Sequence, residues 1–135
     1  MSFDFINSPC RESPRIESKF GICDDQVGTK AYTDSGDDSK WIAFVRNEDE
    51  KEITFTVIDN CLEFFKNRSQ EKESTCDGML TFDDGIYFVE LKTQDSNWLQ
   101  KALGQLENTI ILLQNHHRNY RFKKAFACNK RHPSF

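Results

Sequence analysis

A glutamate at position 90 lies inside an otherwise apolar run, Ile86-Tyr-Phe-Val-Glu-Leu-Lys. A run of this kind is typical of a central strand that is buried on both faces. Burial of an ionised carboxylate is unfavourable by several kcal/mol unless the group is paired or binds a metal ion. Glu90 is therefore a candidate functional residue before any other feature of the chain is considered.

Two further charged residues, Lys92 and Asp77, are expected on the same face of the sheet as Glu90. Residues two apart on a strand share a face, so Lys92 lies beside Glu90. The dipeptide Asp84-Gly85 connects two strand-like runs and is a strong hairpin signal. With Asp84-Gly85 as a two-residue turn, Asp77 lies opposite Lys92 and diagonal to Glu90.

Two carboxylates and a lysine on one face suit the hydrolysis of a phosphodiester bond. Mg²⁺ binds through one or two carboxylates and retains several waters, so Asp77 and Glu90 are candidate metal ligands. Lys92 would orient an attacking water or help to deprotonate it. The alternative interpretation is an exposed ion pair of Lys92 with either acid, which commonly contributes about 0–1 kcal/mol and marks no site.

The order of these residues resembles the PD-(D/E)XK nuclease superfamily, also called the restriction endonuclease-like fold. Its hallmark is an Asp on one strand and (Asp/Glu)-x-Lys on the next, and Asp77 with Glu90-Leu91-Lys92 matches it. The resemblance covers residues 53–128. It implies Mg²⁺ or Mn²⁺ held by Asp77, Glu90 and the backbone carbonyl of Leu91, with Lys92 positioning water and stabilising the developing charge.

Two more candidate residues enter through this resemblance. Gln105 is placed like a Gln that many members use on the helix after the motif, although Thr109 stands where a Tyr often follows. Gln105 is otherwise a boundary residue of the apolar helix stripe. Glu17 is the candidate for the superfamily's first-helix acid, on a short helix predicted over residues 14–20 from a Ser-Pro start and a Gly end.

The remaining elements follow from the spacing of apolar residues. Residues 41–45 and 53–58 are rich in β-branched and aromatic side chains and predict a first hairpin. Alternation of apolar and basic residues over residues 120–128 predicts a final strand. An amphipathic helix over residues 97–117 is predicted by apolar residues at helical spacing, namely Leu99, Leu103, Leu106, Ile110 and Leu113.

These elements predict a single domain over residues 1–135, with an irregular N-terminal part at 1–40 and a core at 53–128. A chain of 135 residues with 37% hydrophobic residues is long enough for one core. The expected fold class is α/β, a restriction endonuclease-like core in which a central mixed β-sheet is flanked by helices.

Charge is distributed unevenly along the chain, which carries a net charge of −4. No acid follows Glu107, while six basic residues give the tail +6 and leave −10 for residues 1–107. These basic residues are candidate contacts to a nucleic-acid backbone, and they are Arg118, Arg121, Lys123, Lys124, Lys130 and Arg131. The alternative is that they form a solvated basic helix end and strand that bind nothing.

The cysteines and the apolar runs limit the class of protein. Five cysteines at wide spacing include no Cys-x-x-Cys pair, which disfavours a zinc site. The thiols are expected to be reduced, with Cys61, Cys76 and Cys128 as small buried side chains. No apolar run is long enough to cross a bilayer and the N-terminus lacks the pattern of a signal peptide, which favours a cytoplasmic protein without membrane contact.

The sequence therefore predicts a metal-dependent nuclease, with DNA favoured over RNA as the substrate and a homodimer as the candidate assembly where both strands of a duplex are cut. Gly-rich phosphate loops, nucleophile elbows and zinc-protease motifs are absent from the sequence, so other hydrolase classes have no support. Two alternatives remain open. One is a non-catalytic binding or regulatory module with the nuclease fold, and the other is an acidic module that neutralises a basic protein through residues 1–107.

Overall fold

The computed structural model of the chain describes residues 9–25, 30–62, 74–93 and 96–130. Within these ranges the architecture is mixed α/β, with two sheets and two α-helices. Asp38–Lys40 adds one turn of 3-10 helix. The strands are β1 (Lys19–Cys23), β2 (Tyr32–Asp34), β3 (Ala43–Arg46), β4 (Thr54–Val57), β5 (Gly78–Phe82), β6 (Gly85–Lys92) and β7 (Phe122–Asn129), and the helices are α1 (Trp98–Leu112) and α2 (Gln114–His117).

The larger sheet has the strand order β4-β5-β6-β7. The first three strands are antiparallel neighbours, whereas β7 lies parallel to β6 because α1 and α2 carry the chain back across one face of the sheet. Met79, Phe88 and Leu106 pack in the core beneath the helix. Leu80 and Val89 alternate with them and face a second core, shared with the smaller sheet. The α/β class is thus confirmed and the larger sheet is mixed. In the described residues, the helices cover one of its faces, while the other face shares a core with the smaller sheet.

The hairpin of β5 and β6 is confirmed, but its turn differs from the prediction. Phe82 pairs with Gly85, so the two turn residues are Asp83 and Asp84. Asp83 takes the left-handed conformation with φ of 44°. Gly85 is a strand residue, and a Cβ there would approach the Phe82 ring to 2.8 Å. This difference of one residue at the turn moves the whole register of the hairpin.

The first predicted hairpin is wrong, although both of its strands exist. β3 pairs with β1, in the smaller sheet of order β2-β1-β3, while β4 pairs with β5 in the larger sheet. The amide of Asn47 holds the connection between them, because its Nδ2 donates to the carbonyls of Glu17 and Lys51. Strand pairing with distant segments therefore replaces the local pairing that the sequence favours.

The predicted helix over residues 14–20 is also wrong, because the backbone there is extended. Arg15 and Ile53 exchange two main-chain hydrogen bonds of 2.8 and 2.9 Å, and Arg11 forms a bridge to Thr56. The edge of β4 offers unpaired main-chain groups, and pairing with them outweighs a short helix that contains a proline. The described part of residues 1–40 contains β1, β2, the 3-10 turn and an extended segment that forms bridges to the β4 region, with turns and loops between them.

The expectation that Cys61 is a reduced thiol is wrong, because Cys61 forms a disulfide with Cys10. The two residues meet because the extended N-terminal segment runs beside β4, where Val57 donates its amide proton to the carbonyl of Cys10. Cys76 is a buried free thiol, as expected, whereas Cys128 is a free thiol that is only half-buried.

The long helix and the final strand are confirmed, but the apolar stripe of the helix is partly wrong. Leu106 and Leu113 are buried, whereas Leu99 and Leu103 are about half exposed. Ala102 and Thr109 complete the buried face because α1 lies on the sheet along that line. In the described residues, no helix is long and apolar enough to cross a membrane.

Candidate active site

Asp77, Glu90 and Lys92 meet at one end of the larger sheet, on the face that α1 covers. Glu90 and Lys92 are two of the last three residues of β6, and Asp77 directly precedes β5. Glu90 is 2% exposed and Asp77 is 6% exposed. Lys92 Nζ lies 3.0 Å from Glu90 Oε2, with the lysine side chain 14% exposed. The predicted convergence of three charges is therefore present.

The contacts within this group follow from the observed register and not from the predicted one. The amide of Asp77 donates to Glu90 Oε1 at 2.9 Å, and the amide of Leu91 donates to Asp77 Oδ2 at 2.7 Å. Asp77 therefore faces Glu90 directly. The prediction that Asp77 lies opposite Lys92 is wrong, because the two-residue turn begins one residue earlier than predicted.

Burial makes both carboxyl groups unusually hard to ionise. The pKa of Asp77 is raised to about 9, first by removal of the group from water and then by the negative charge of Glu90. The pKa of Glu90 is also raised by burial, although the ammonium of Lys92 opposes this shift. Each carboxyl group also contributes to the pKa of the other. The two groups are therefore neighbours in the interior, and the ionisation of one affects the ionisation of the other.

Helix α1 holds the segment that leads into Asp77. Thr109 is fully buried, and its Oγ1 accepts a hydrogen bond from the amide of Cys76 at 2.7 Å. Gln105 Nε2 donates to the carbonyl of Thr75 at 3.2 Å, and Asn108 Nδ2 donates to the carbonyl of Ser74 at 2.6 Å. Gln105 therefore binds the backbone of the segment before Asp77 and helps to hold that segment against α1.

Sequence reasoning singled out Gln105 but missed Asn108 and Thr109 as its partners. The signal was available, because polar residues at positions i, i+3 and i+4 lie on one face of a helix. A polar row beside the apolar stripe indicates a helix edge that binds backbone groups as well as packing on a sheet.

A polar cleft of about 600 Å³ opens beside Lys92, between α1 and the segment before β5. No acid lines the cleft among the described residues. Gly104 forms part of its wall, and a Cβ at this position would meet no atom within 4 Å. The lining consists of Ser74, Lys92, Gln100, Lys101, Gly104, Gln105 and Asn108. Two lysines and several amides thus surround the approach to the candidate site.

Most of the predicted nucleic-acid contacts lie away from the two carboxylates. Lys123 pairs in register with Ile86, four residues before Glu90 and hence about 13 Å along the strand, and Arg118 and Arg121 precede it. Lys124 lies against Tyr87, on the opposite face of the sheet.

At the site end of β7, Lys130 donates its amide proton to the carbonyl of Lys92. Arg131 lies outside the described residues. The tail is therefore not one basic surface around the site, and its role in binding stays a prediction.

Glu17 is not positioned as a first-helix acid. It lies in extended chain and pairs with Arg15, which bonds to Ile53 at the end of β4 remote from Asp77. Asp24, which directly follows β1, is instead the acid of the N-terminal part whose charge contributes to the raised pKa of Asp77. Sequence reasoning missed Asp24 because its proximity depends on the pairing of β1.

The residues present fit a hard divalent cation with few protein ligands. In the ranges that the structure describes, no three side chains of His, Cys, Asp or Glu form a metal-binding group. Asp77 and Glu90 supply two neighbouring carboxyl groups, and Mg²⁺ is commonly bound by one or two carboxylates with waters and phosphate oxygens completing the shell. Burial raises the pKa of both groups, and the charge of Glu90 raises that of Asp77 further; a cation bound between them would favour the ionised form of both.

Comparisons of the chain with protein-family models, with curated proteins and with solved structures found no match. The functional argument consequently depends on the geometry of the described residues. That geometry consists of two neighbouring buried acids, a lysine 3.0 Å from one of them and a polar cleft that opens beside the lysine.

Proposed function

We propose that the chain is a metal-dependent nuclease that hydrolyses phosphodiester bonds, with DNA as the first substrate to test. The observation that carries this proposal is the pairing of the buried acids Asp77 and Glu90, in which the amide of Asp77 donates to Glu90 Oε1, beside Lys92. A buried pair of acids is costly in a purely structural role, because hydrophobic replacements of such groups are often neutral or stabilising. A cation-dependent function accounts for the retention of two buried acids beside Lys92, which lines the polar cleft.

The element order supports the resemblance to the PD-(D/E)XK superfamily. Three antiparallel strands, a crossover helix and a parallel fourth strand follow one another from β4 to β7. Asp77 directly precedes the second of these strands and Glu90 lies on the third. The chain departs from that pattern before β4, where the described residues form the smaller sheet instead of a first helix. The proposed nuclease fold therefore extends over residues 53–128.

Each residue of the site has a distinct proposed role. Asp77 and Glu90 would hold Mg²⁺ or Mn²⁺, and the backbone carbonyl of Leu91 is the further ligand that the resemblance implies. When bound, the ion supplies Lewis-acid activation of water and neutralises phosphate charge. Lys92 Nζ orients the attacking water and stabilises the negative charge that develops on the phosphate oxygens. Gln105 fixes the backbone before Asp77 and so keeps the carboxyl group in place.

The cleft is the proposed path of the nucleic-acid backbone. Lys92 and Lys101 supply positive charge at its wall, and Gln100 and Asn108 supply amide donors for phosphate or sugar oxygens. One chain carries one set of acids, so cleavage of both strands of a duplex would involve a homodimer.

A non-catalytic binding module is the second candidate, and a specific observation favours it. Both oxygens of Glu90 and one oxygen of Asp77 already accept hydrogen bonds from within the chain. Such a network is internally satisfied with Asp77 protonated, so the same residues would suit a structural core without catalysis. The two functions differ in whether Glu90 is needed for cleavage or for stability alone.

The test is incubation of the purified chain with plasmid, linear duplex DNA, single-stranded DNA and RNA in Mg²⁺ or Mn²⁺. EDTA and the variant Glu90→Gln run in parallel, and Glu107→Gln is the matched control because it changes an exposed acid on α1 that does not line the cleft. Cleavage that is lost with EDTA and with Glu90→Gln, but kept with Glu107→Gln, supports the nuclease. Absence of cleavage on every substrate contradicts it and favours the binding module or the acidic protein-binding module.

A further inference from the structure

A groove of about 760 Å³ runs between β3 and β7, which are edge strands of the two sheets. Trp41, Phe44 and Phe126 line it, and these three residues define what we call the aromatic groove. Phe44 is 51% exposed and Phe126 is 41% exposed. Two large rings thus remain in water beside a third, although the chain has two apolar cores that could have buried them.

The rings of the aromatic groove belong to a ring pair on each of its two walls. Trp41 and Phe44 have ring centroids 5.8 Å apart. On the other wall Phe126 lies 5.3 Å from Tyr87. Exposed rings on adjacent strand edges form platforms on which nucleic-acid bases stack, and this stacking is tolerant of sequence because every base has a π face.

Cations accompany the same rings. Lys19 Nζ lies 5.1 Å from the centroid of Phe44, and Arg46 lies 5.9 Å from it. Lys124 Nζ lies 5.6 Å from the ring of Tyr87. The nearby acids are Asp38 in the lining, Asp34, whose Oδ2 accepts a hydrogen bond from Trp41 Nε1, and Glu48, which is 3.9 Å from Arg46 in an exposed pair. The three cations are therefore distinguished by their position, since each lies over the face of an aromatic ring beside the groove.

We propose that the aromatic groove binds a single strand of nucleic acid. Bases stack on Phe44 and Phe126, and the phosphates lie near Lys19, Arg46 and Lys124. A strand of another protein could in principle pair with the edge of β7, but main-chain pairing gives the flanking cations and the exposed rings no role. The combination of rings and cations is what single-stranded nucleic acid requires.

The position of the groove relates it to the candidate active site without making it depend on that site. Asn129 lines the groove and pairs in register with Lys92, so the groove reaches the strand end that carries the carboxylates. The proposal goes beyond the proposed function, since a single strand would bind here whether or not the chain cleaves it.

The experiment measures fluorescence anisotropy of a labelled oligothymidine of 15 nucleotides with the full chain in EDTA, where cleavage is absent. A blunt DNA duplex of 15 base pairs is the comparison ligand. The expected result is tighter binding of the single strand, with an affinity that falls as salt rises because phosphate contacts release counterions. Phe44→Ala and Phe126→Ala are each expected to weaken binding about tenfold.

The matched control is Ile111→Ala, which removes a 60% exposed apolar side chain from α1, outside the groove. It is expected to leave binding unchanged, and thermal unfolding of all three variants should match the unsubstituted chain because the side chains are exposed. Unchanged binding by both groove variants, or a preference for the duplex, would overturn the proposal. Because the assay needs no metal ion, failure of the nuclease test and failure of this test are separate results.

Discussion

The amide of Asp77 donates a hydrogen bond to Oε1 of Glu90 at 2.9 Å, which locks two acidic residues side by side in the interior. The contact forms because Asp77 enters β5 directly opposite the buried end of β6. It brings two carboxyl groups together in a site with Lys92 as the neighbouring cation. Its energetic consequence can be tested without any assumption about catalysis.

Asp77→Asn is expected to stabilise the metal-free chain at pH 8, by on the order of 1–3 kcal/mol, because it removes a buried acid while keeping an oxygen for the amide of Leu91. The pKa of Asp77 is raised from 3.8 to about 9 in the folded state. The stability contributed by proton binding is therefore complete below the ordinary pKa and is lost as pH rises through about 9.

Urea unfolding at pH 5, 7 and 9 in EDTA measures this effect. The unsubstituted chain should lose stability across the series, whereas Asp77→Asn should show a flatter profile. Asp84→Asn, at an exposed turn residue, is the control and should follow the unsubstituted chain. Parallel profiles for Asp77→Asn and the unsubstituted chain would show that Asp77 is ionised throughout.

Thr109→Val is expected to destabilise the chain by about 1–3 kcal/mol, because the buried amide of Cys76 loses its acceptor while the side-chain volume is kept. Thr81→Val is a suitable control, since the hydroxyl of Thr81 reaches the carbonyl of Thr54 only at 3.5 Å. Thermal unfolding gives the comparison. If both variants unfold alike, the hydrogen bond from helix to strand does not hold the segment before Asp77.

Gly104→Ala should separate stability from function. A Cβ at this position meets no atom within 4 Å, so alanine is expected to stabilise α1 by about 0.5–1 kcal/mol through helix propensity. The methyl group would enter the cleft, so cleavage under the proposed function should fall, with a raised KM. Glu107→Ala, elsewhere on α1, should leave cleavage unchanged; equal activity of both variants would contradict substrate passage along this wall.

The disulfide of Cys10 with Cys61 predicts a definite thiol count. Titration of the denatured, non-reduced chain should give three free thiols, from Cys23, Cys76 and Cys128, whereas a fully reduced chain gives five. Replacement of both bonded cysteines by serine should lower the free energy of unfolding by about 2–4 kcal/mol, because the bond closes a long loop. Five thiols before reduction would contradict the bond.

Local patterns in the sequence were sufficient for several elements and for the core of the site. The alternation around Asp84-Gly85 predicted the hairpin, and the change to helical spacing after residue 97 predicted the long helix. A carboxylate in an apolar run predicted the buried position of Glu90. These features depend on neighbouring residues along the chain, and burial of one face of a strand or helix fixes their periodicity.

Tertiary pairing decided the remaining features. β3 pairs with β1 and not with β4, its expected partner, because the main-chain groups of a strand pair with the strand edge that the tertiary fold places beside them. A turn at Asp83 and Asp84 set the register that joined Asp77 to Glu90. The parallel register of β7 carried Lys123 about 13 Å from Glu90, although the sequence grouped the basic residues together. Register, edge pairing and the disulfide depend on contacts between distant segments, and the spacing of residues along the chain does not encode those contacts.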